Sequence, residues 1–354
     1  MITKTAPSLH CLNRKRRENN NDRPQAITVK RDWQTALSEA IRDPRVLLTQ
    51  LKLPLSLLEQ SSLSPTFPLR VTQSFIRRMQ PGNPLDPLLL QVLPLNQELN
   101  DTDWGSLDPV GDQHAMQGPG LLHKYQGRVL LVSTAACAIH CRYCFRQHFP
   151  YQQANPLGSQ LPATLAYLNA HQDIHEVILS GGDPLSLSDE RLSRIVEQLD
   201  QIPHLKTLRI HTRLPLVVPE RIDANLLKWL QATRLKVVLV LHINHPNEID
   251  QEFAESMAYL QLPGVSLLNQ SVLLRGINDS AEILISLSHK LFDVGILPYY
   301  LHQLDKVRGA AHFEVPAETG ATLLAAMRQK LPGYLVPKYV KEIPGEPAKY
   351  PIFG

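Results

Sequence analysis

Nowhere in the 354-residue chain is there a run of roughly 18 apolar residues, the length a membrane-spanning helix needs. The opening stretch, MITKTAPSLHCLNRKRRENNNDRP, also lacks the apolar core of a secretory leader. These absences predict a soluble, cytoplasmic protein with no membrane partner. An excess of one charge sign is missing too. The 36 Lys and Arg stand against 33 Asp and Glu, a net charge of +3, so composition lends no support to nucleic-acid binding. Cysteine is scarce, with four residues, and three of them fall within CAIHCRYC while Cys11 stands alone in polar sequence. That distribution excludes a disulfide framework and points to metal binding in a reducing compartment. Proline is abundant, 28 residues, but is scattered over segment ends such as KLPLS and GILPYY, where it punctuates loops and marks no linker.

The chain is long enough for one large core with an appended module. Residues 1–27 read as a disordered or irregular tail, because RRENNND cannot bury enough apolar surface to order itself. Residues 28–115 read as a helical N-terminal region, with apolar residues three and four apart in DWQTALSEAIRDPRVLLTQLKL. Residues 116–335 change texture. Apolar runs at 128–134, 176–182, 205–212, 235–243, 265–274 and 296–304 alternate with amphipathic segments near 160–171, 188–201, 219–233, 247–261 and 280–293. Strands apolar on both faces and separated by helices predict an α/β fold with a parallel sheet. A barrel-like (β/α) arrangement and an open doubly wound sheet both fit, and in both the ligands sit at the carboxyl ends of the strands. The cysteine loop, SGGD, His242 and HQLD all fall there. A C-terminal segment, 336–354, completes the chain.

Three thiolates in one loop fit two kinds of centre. A structural zinc wants four closed ligands, and His140 or His148 is a candidate fourth. An iron–sulfur cluster held by three cysteines leaves one iron open for another ligand.

The spacing Cys137-x3-Cys141-x2-Cys144, with Tyr143 just before the last thiol, resembles the radical S-adenosylmethionine superfamily. RYCFRQHF, ILSGGDPL, LHINHPNEI, NQSVLLRGIND and PGEPAKYP, in that order over about 120–351, together resemble the lysine 2,3-aminomutase family. In form the chain is most similar to the short bacterial branch that supplies (R)-β-lysine for modification of elongation factor P. The resemblance implies a partial (β/α)6 TIM-like barrel and three cofactors. A [4Fe–4S] cluster sits on Cys137, Cys141 and Cys144, with S-adenosylmethionine on its open iron, beside Ser180, Gly181, Gly182, Asp183, His242 and Gln270. Pyridoxal 5′-phosphate forms a Schiff base with Lys349, in the register of the family's glycine-rich lysine loop, although Glu346, Pro347 and Ala348 replace glycines. Its phosphate falls to Tyr125, Arg128 and Lys124, the last standing where arginine is expected and able to act only as a point charge.

The same resemblance assigns the substrate's α-carboxylate to Arg146 and its ε-ammonium to Asp305 and Glu342, the latter in place of the usual aspartate. An acidic pair selects lysine over glutamate. The expected reaction is conversion of L-α-lysine to β-lysine, an isomerisation begun when the reduced cluster cleaves S-adenosylmethionine. The expected partners are L-lysine, a reductant such as flavodoxin or ferredoxin, and functionally elongation factor P and its lysyl ligase, with a homo-oligomer left open. In the longer enzymes an interface zinc draws a cysteine from the position of Ser280 and others from a C-terminal extension. Its absence and a different oligomerisation are therefore expected here. The alternatives are an aminomutase of another amino acid, such as glutamate, and a non-catalytic, zinc-stabilised (β/α) protein.

Overall fold

The computed structural model describes residues 32–60, 67–99 and 103–353; the expected tail over 1–27, with Cys11, lies outside them. One mixed sheet organises the described residues. Its strands are β1 (Met116–Gly118), β2 (Leu121–Tyr125), β3 (Arg128–Thr134), β4 (Glu176–Gly181), β5 (Thr207–Thr212), β6 (Lys236–His242), β7 (Val265–Val272), β8 (Leu297–His302), β9 (Lys338–Lys341) and β10 (Tyr350–Pro351). They lie side by side in chain order. From β3 to β9 every neighbouring pair is parallel, while β1, β2 and β3, and β9 with β10, pair antiparallel.

Sequential order decides between the two architectures left open by the sequence. A doubly wound sheet reverses its strand order at a switch point, whereas here the order never reverses, as in a TIM barrel. Since β1 and β10 form the two ends of the sheet, the barrel is partial. Helices fill the crossovers at Leu161–Ala170, Asp189–Asp200, Ala224–Ala232, Gln251–Ala258 and Ala281–Asp293, and Ala317–Lys330 follows β8. Four of these start on a side-chain cap readable in the sequence: Ser188, Asp223, Asp250 and Ser280 each accept a hydrogen bond from a backbone N–H three residues on. The central strands are buried on both faces: in β4, Val177 and Leu179 merge with Leu192, Ile210 and Leu239 in one core, while the buried Ile178 lines the cavity described below.

The region expected to be helical over 28–115 differs. Its described residues hold α-helices of only five to seven residues, at Trp33–Ser38, Pro44–Gln50 and Gln73–Arg77, with 3-10 turns and loops between. Pro54, Pro81, Pro84, Pro87 and Pro94 explain this, since each removes a backbone donor and bars the helical conformation from the residue before it. Leu47, Leu48, Phe75, Leu88 and Leu89 still pack into the main core. The region thereby covers the cysteine loop. His140 N–H donates to the Arg70 carbonyl at 2.9 Å and Arg142 N–H to the Gln91 carbonyl at 2.9 Å. The buried Arg142 guanidinium grips the Glu98 carboxylate and donates to the Phe67 carbonyl at 2.8 Å.

Candidate active site

A cavity of about 420 Å³ opens at the carboxyl ends of β3 to β8. Cys137, Cys141 and Cys144 line it, and so do Asp305, Glu342 and Lys349. The cysteine loop leaves β3 in tight turns, with Cys144 N–H donating to the Cys141 carbonyl at 3.0 Å. Opposite it, Gly182 N–H donates to the Thr134 carbonyl and Asp183 N–H to the Ala136 carbonyl, both at 2.7 Å. A Cβ on Gly182 would sit 2.5 Å from the Ala136 oxygen, and Gly181 has φ +116°, so both glycines are required by this close approach.

Arg146 is buried. Its Nε donates to Asp112 Oδ2 at 2.7 Å and its Nη1 to Ser180 Oγ at 3.1 Å. Asp112 also accepts an ion pair from Lys124 Nζ at 2.6 Å, and Lys124 reaches Glu342 Oε1 at 2.9 Å. The second Glu342 oxygen pairs with Lys349 Nζ. The result is an alternating ladder, Arg146, Asp112, Lys124, Glu342, Lys349. Burial would raise the Glu342 carboxyl, but Lys349 and Lys124 hold it down at about 2. For Asp305 the same two lysines compensate only in part, and burial, then the Glu342 charge, push it up to about 7. Tyr125 holds Arg128 over its ring, 4.7 Å from centroid to guanidinium carbon.

At the ends of β6 and β7, His242 Nε2 and the Gln270 amide nitrogen lie 2.7 Å apart, a hydrogen bond in which the amide donates. Burial, then Arg213 and Arg146, lower His242 to about 3, so it is neutral. Asp183 lines the cavity, yet both of its oxygens are occupied. They accept from Thr212 Oγ1 at 2.7 Å and from the backbone N–H groups of Leu185, Arg213 and Leu214. Its carboxylate thus ties β4 to β5 and offers no free oxygen to a ligand.

These distances bring every site residue named from the sequence to one cavity. Three comparisons then place the chain. A family profile described as a 4Fe-4S single cluster domain matches residues 116–213. An L-lysine 2,3-aminomutase of Haemophilus influenzae is 48% identical over 324 residues, which are 91% of this chain and 96% of that one. The Escherichia coli protein of the same name is 48% identical over 91% of this chain and 94% of its own length. The Clostridium subterminale protein is 36% identical over 80% of this chain and 68% of its own. The chain belongs to the L-lysine 2,3-aminomutase family. Members are isomerases of the radical S-adenosylmethionine type, and the cofactors are a [4Fe–4S] cluster, S-adenosylmethionine and pyridoxal phosphate.

The donor set fits that cluster. Cys137, Cys141 and Cys144 all line the cavity, and a cluster places a different iron under each thiolate. Neither His140 nor His148, the two offered as a fourth zinc ligand, lines the cavity that the three thiols share. His140 Nδ1 bonds the Pro68 carbonyl at 2.7 Å and His148 Nε2 the Arg308 carbonyl at 3.2 Å. Burial pushes the Cys144 thiol up to about 11, so its thiolate forms only where a cation compensates it, as metal ligation does. Pyridoxal phosphate fits as well: Lys349 Nζ faces the cavity beside Tyr125 and Arg128, and His211 and His302 line it with buried Nε2 atoms lacking a protein partner.

Four residues escaped the sequence. His211 is the last residue but one of β5 and His302 ends β8, so the strand-end rule that singled out His242 would have found them. Asp112 and Arg213 gave no signal, because each acts through partners far away in the chain.

Proposed function

We propose that the protein is a lysine 2,3-aminomutase that converts L-α-lysine to β-lysine, in the R form, and supplies it for modification of elongation factor P. The supporting observation is the pairing of opposite charges across one cavity. Arg146, two residues past Cys144, and the carboxyl groups of Asp305 and Glu342 line the same cavity. An extended α-amino acid with a terminal ammonium matches that polarity, and a glutamate side chain would meet like charge in a desolvated pocket.

When bound, the cluster with S-adenosylmethionine supplies a carbon radical, and pyridoxal phosphate supplies a π-system through which an amino group can move. The chain's residues do the rest. Arg146, with Nε fixed by Asp112, turns its remaining N–H groups toward a carboxylate. Lys349, whose Nζ donates to Glu342, would anchor the pyridoxal aldehyde. Tyr125 and Arg128 would hold the phosphate, while Lys124, whose ammonium already meets Asp112, Glu342 and the Val110 carbonyl, would offer it charge and no free N–H. His242, kept neutral by burial, and Gln270 face the adenosyl side as hydrogen-bonding groups that do not compete for charge. Ser180, Gly181 and Gly182 bring backbone close to the methionine portion. A flavodoxin or ferredoxin class protein provides the electron.

The test is anaerobic reconstitution with iron, sulfide and pyridoxal phosphate, then incubation with S-adenosylmethionine, a reductant and L-lysine. Chiral analysis should find (R)-β-lysine, and the mixture should support charging of elongation factor P by its lysyl ligase. Cleavage of S-adenosylmethionine without any β-lysine would sink the substrate assignment. The S product would sink the link to the modification.

A further inference from the structure

Arg213 follows β5 directly and has no part in the chemistry assigned above. It is buried, and its Nη1 donates to Cys141 Sγ at 2.8 Å and to Tyr143 Oη at 2.7 Å. Its Nη2 donates to Gln91 Oε1 at 2.7 Å and to the fully buried Glu248 at 2.8 Å. The Phe75 ring lies 5.2 Å from the guanidinium carbon. Two further bonds lock the surroundings: Asn244 Nδ2 donates to Tyr143 Oη at 2.6 Å, and Glu248 Oε1 accepts from the backbone N–H of Asn244 and of His245, each at 3.0 Å. The backbone of Arg213 is fixed in turn, because its N–H donates to Asp183 at 2.7 Å. The turn that shapes the glycine wall of the cavity therefore also aims a cation at a cluster ligand.

We infer that Arg213 is a positioning residue that raises the reduction potential of the cluster through its hydrogen bond and charge on Cys141. The physical reason is electrostatic. Reduction adds one electron, supplied by the external donor, to a centre that already carries three thiolates. A donor and a positive charge at one sulfur stabilise the more negative state. The guanidinium is buried, so that interaction is little screened. Glu248 works against it from the far side of the guanidinium, which sets the poise between the two charges. The inference needs the cluster and is independent of which amino acid is the substrate.

The test is a potentiometric titration of the reconstituted, S-adenosylmethionine-free protein, read by the EPR signal of the reduced cluster, with iron and sulfide content as the loading control. R213Q should shift the midpoint negative, losing at least tenfold in the ratio of reduced to oxidised cluster at a fixed applied potential, about 59 mV for one electron. R213K keeps a cation and should fall between R213Q and the parent. An unchanged midpoint in iron-loaded R213Q, or an R213K midpoint no higher than that of R213Q, overturns the inference. Glu248→Gln supplies an independent arm that holds if R213Q fails to load iron. It leaves Arg213 in place, removes the opposing charge and should shift the midpoint positive; no shift, or a negative one, overturns the inference. A purely structural Arg213 would alter stability and loading without moving either potential.

Discussion

Replacing Asp305 with asparagine should stabilise the substrate-free protein at alkaline pH while removing lysine binding. The folded cavity disfavours the ionised form: burial, then Glu342, raise the pKa from 3.8 to about 7, with Lys349 and Lys124 opposing in part. An acid whose folded pKa exceeds its unfolded one binds its proton more tightly in the native state. Stability is then lost as pH rises from 3.8 toward 7, and the full loss is present above that window. The gap is 7 − 3.8 = 3.2 pKa units, which at about 1.36 kcal/mol per unit sets a ceiling of about 4 kcal/mol. Part of it is already incurred at pH 5, so the advantage of D305N over the parent should grow by about 2 to 3 kcal/mol between pH 5 and pH 8. Anaerobic urea unfolding of both cluster-loaded proteins at the two pH values measures this directly. Packing differences between Asp and Asn do not depend on pH, and the growth isolates ionisation. A gap that stays constant, or narrows as pH rises, would refute the reasoning. In turnover assays the same variant should raise KM for lysine, the stability–function trade-off expected where a binding site stores unfavourable charge.

Three more substitutions probe other walls of the cavity. Lys349→Ala should abolish the imine absorbance of added pyridoxal phosphate while cluster absorbance persists; imine absorbance that survives moves the anchor to another lysine. Gly182→Ala places a methyl group 2.5 Å from the Ala136 oxygen, so the cysteine loop must shift and iron content per chain should fall. Full loading by iron and sulfide analysis counts against the close approach. Arg146→Lys cannot reach both Asp112 and a carboxylate with one fork. It should raise KM for lysine roughly tenfold or more, the worth of one charge-assisted hydrogen bond of about 1.5 kcal/mol, and an unchanged KM removes Arg146 from the carboxylate site.

The six strands and the helices between them were legible because short apolar runs alternate with amphipathic segments. The hairpins at the sheet ends were not. β1 and β10 hold three and two residues, too short to show a period. The turn between β2 and β3 rests on Gly127, with φ +78°, in YQGR, a signal weaker than an Asn-Gly pair. The N-terminal region carried a helical apolar pattern that its prolines cut into single turns, so periodicity survived where helices did not. At the site, contiguous motifs were readable, and they carried the thiols, the glycines and Lys349. Residues whose partners lie far off in sequence were silent. Asp112 meets Arg146 across 34 positions and Arg213 meets Gln91 across 122.

The ladder from Arg146 to Lys349 ties the two halves of the cavity into one electrostatic unit. One end pairs Arg146, in the loop after β3, with Asp112, ahead of β1, and the other pairs Glu342 with Lys349, between β9 and β10, so each end is balanced and Lys124 carries the surplus charge. Lys124, on β2, is the joint: it holds Asp112 on one side and Glu342 on the other. Counted in order, three cations alternate with two anions, and Asp305 stands beside them half protonated near neutral pH. One positive charge is therefore left over until Asp305 ionises, and a substrate bringing an additional ammonium favours that ionisation. Lys349 occupies Glu342 in the ligand-free state, so a substrate ammonium that reaches Glu342 must displace the very amine that the pyridoxal aldehyde would take up. Anchoring the cofactor frees the carboxylate for the substrate, which makes the order of binding, cofactor before amino acid, a consequence of one shared oxygen.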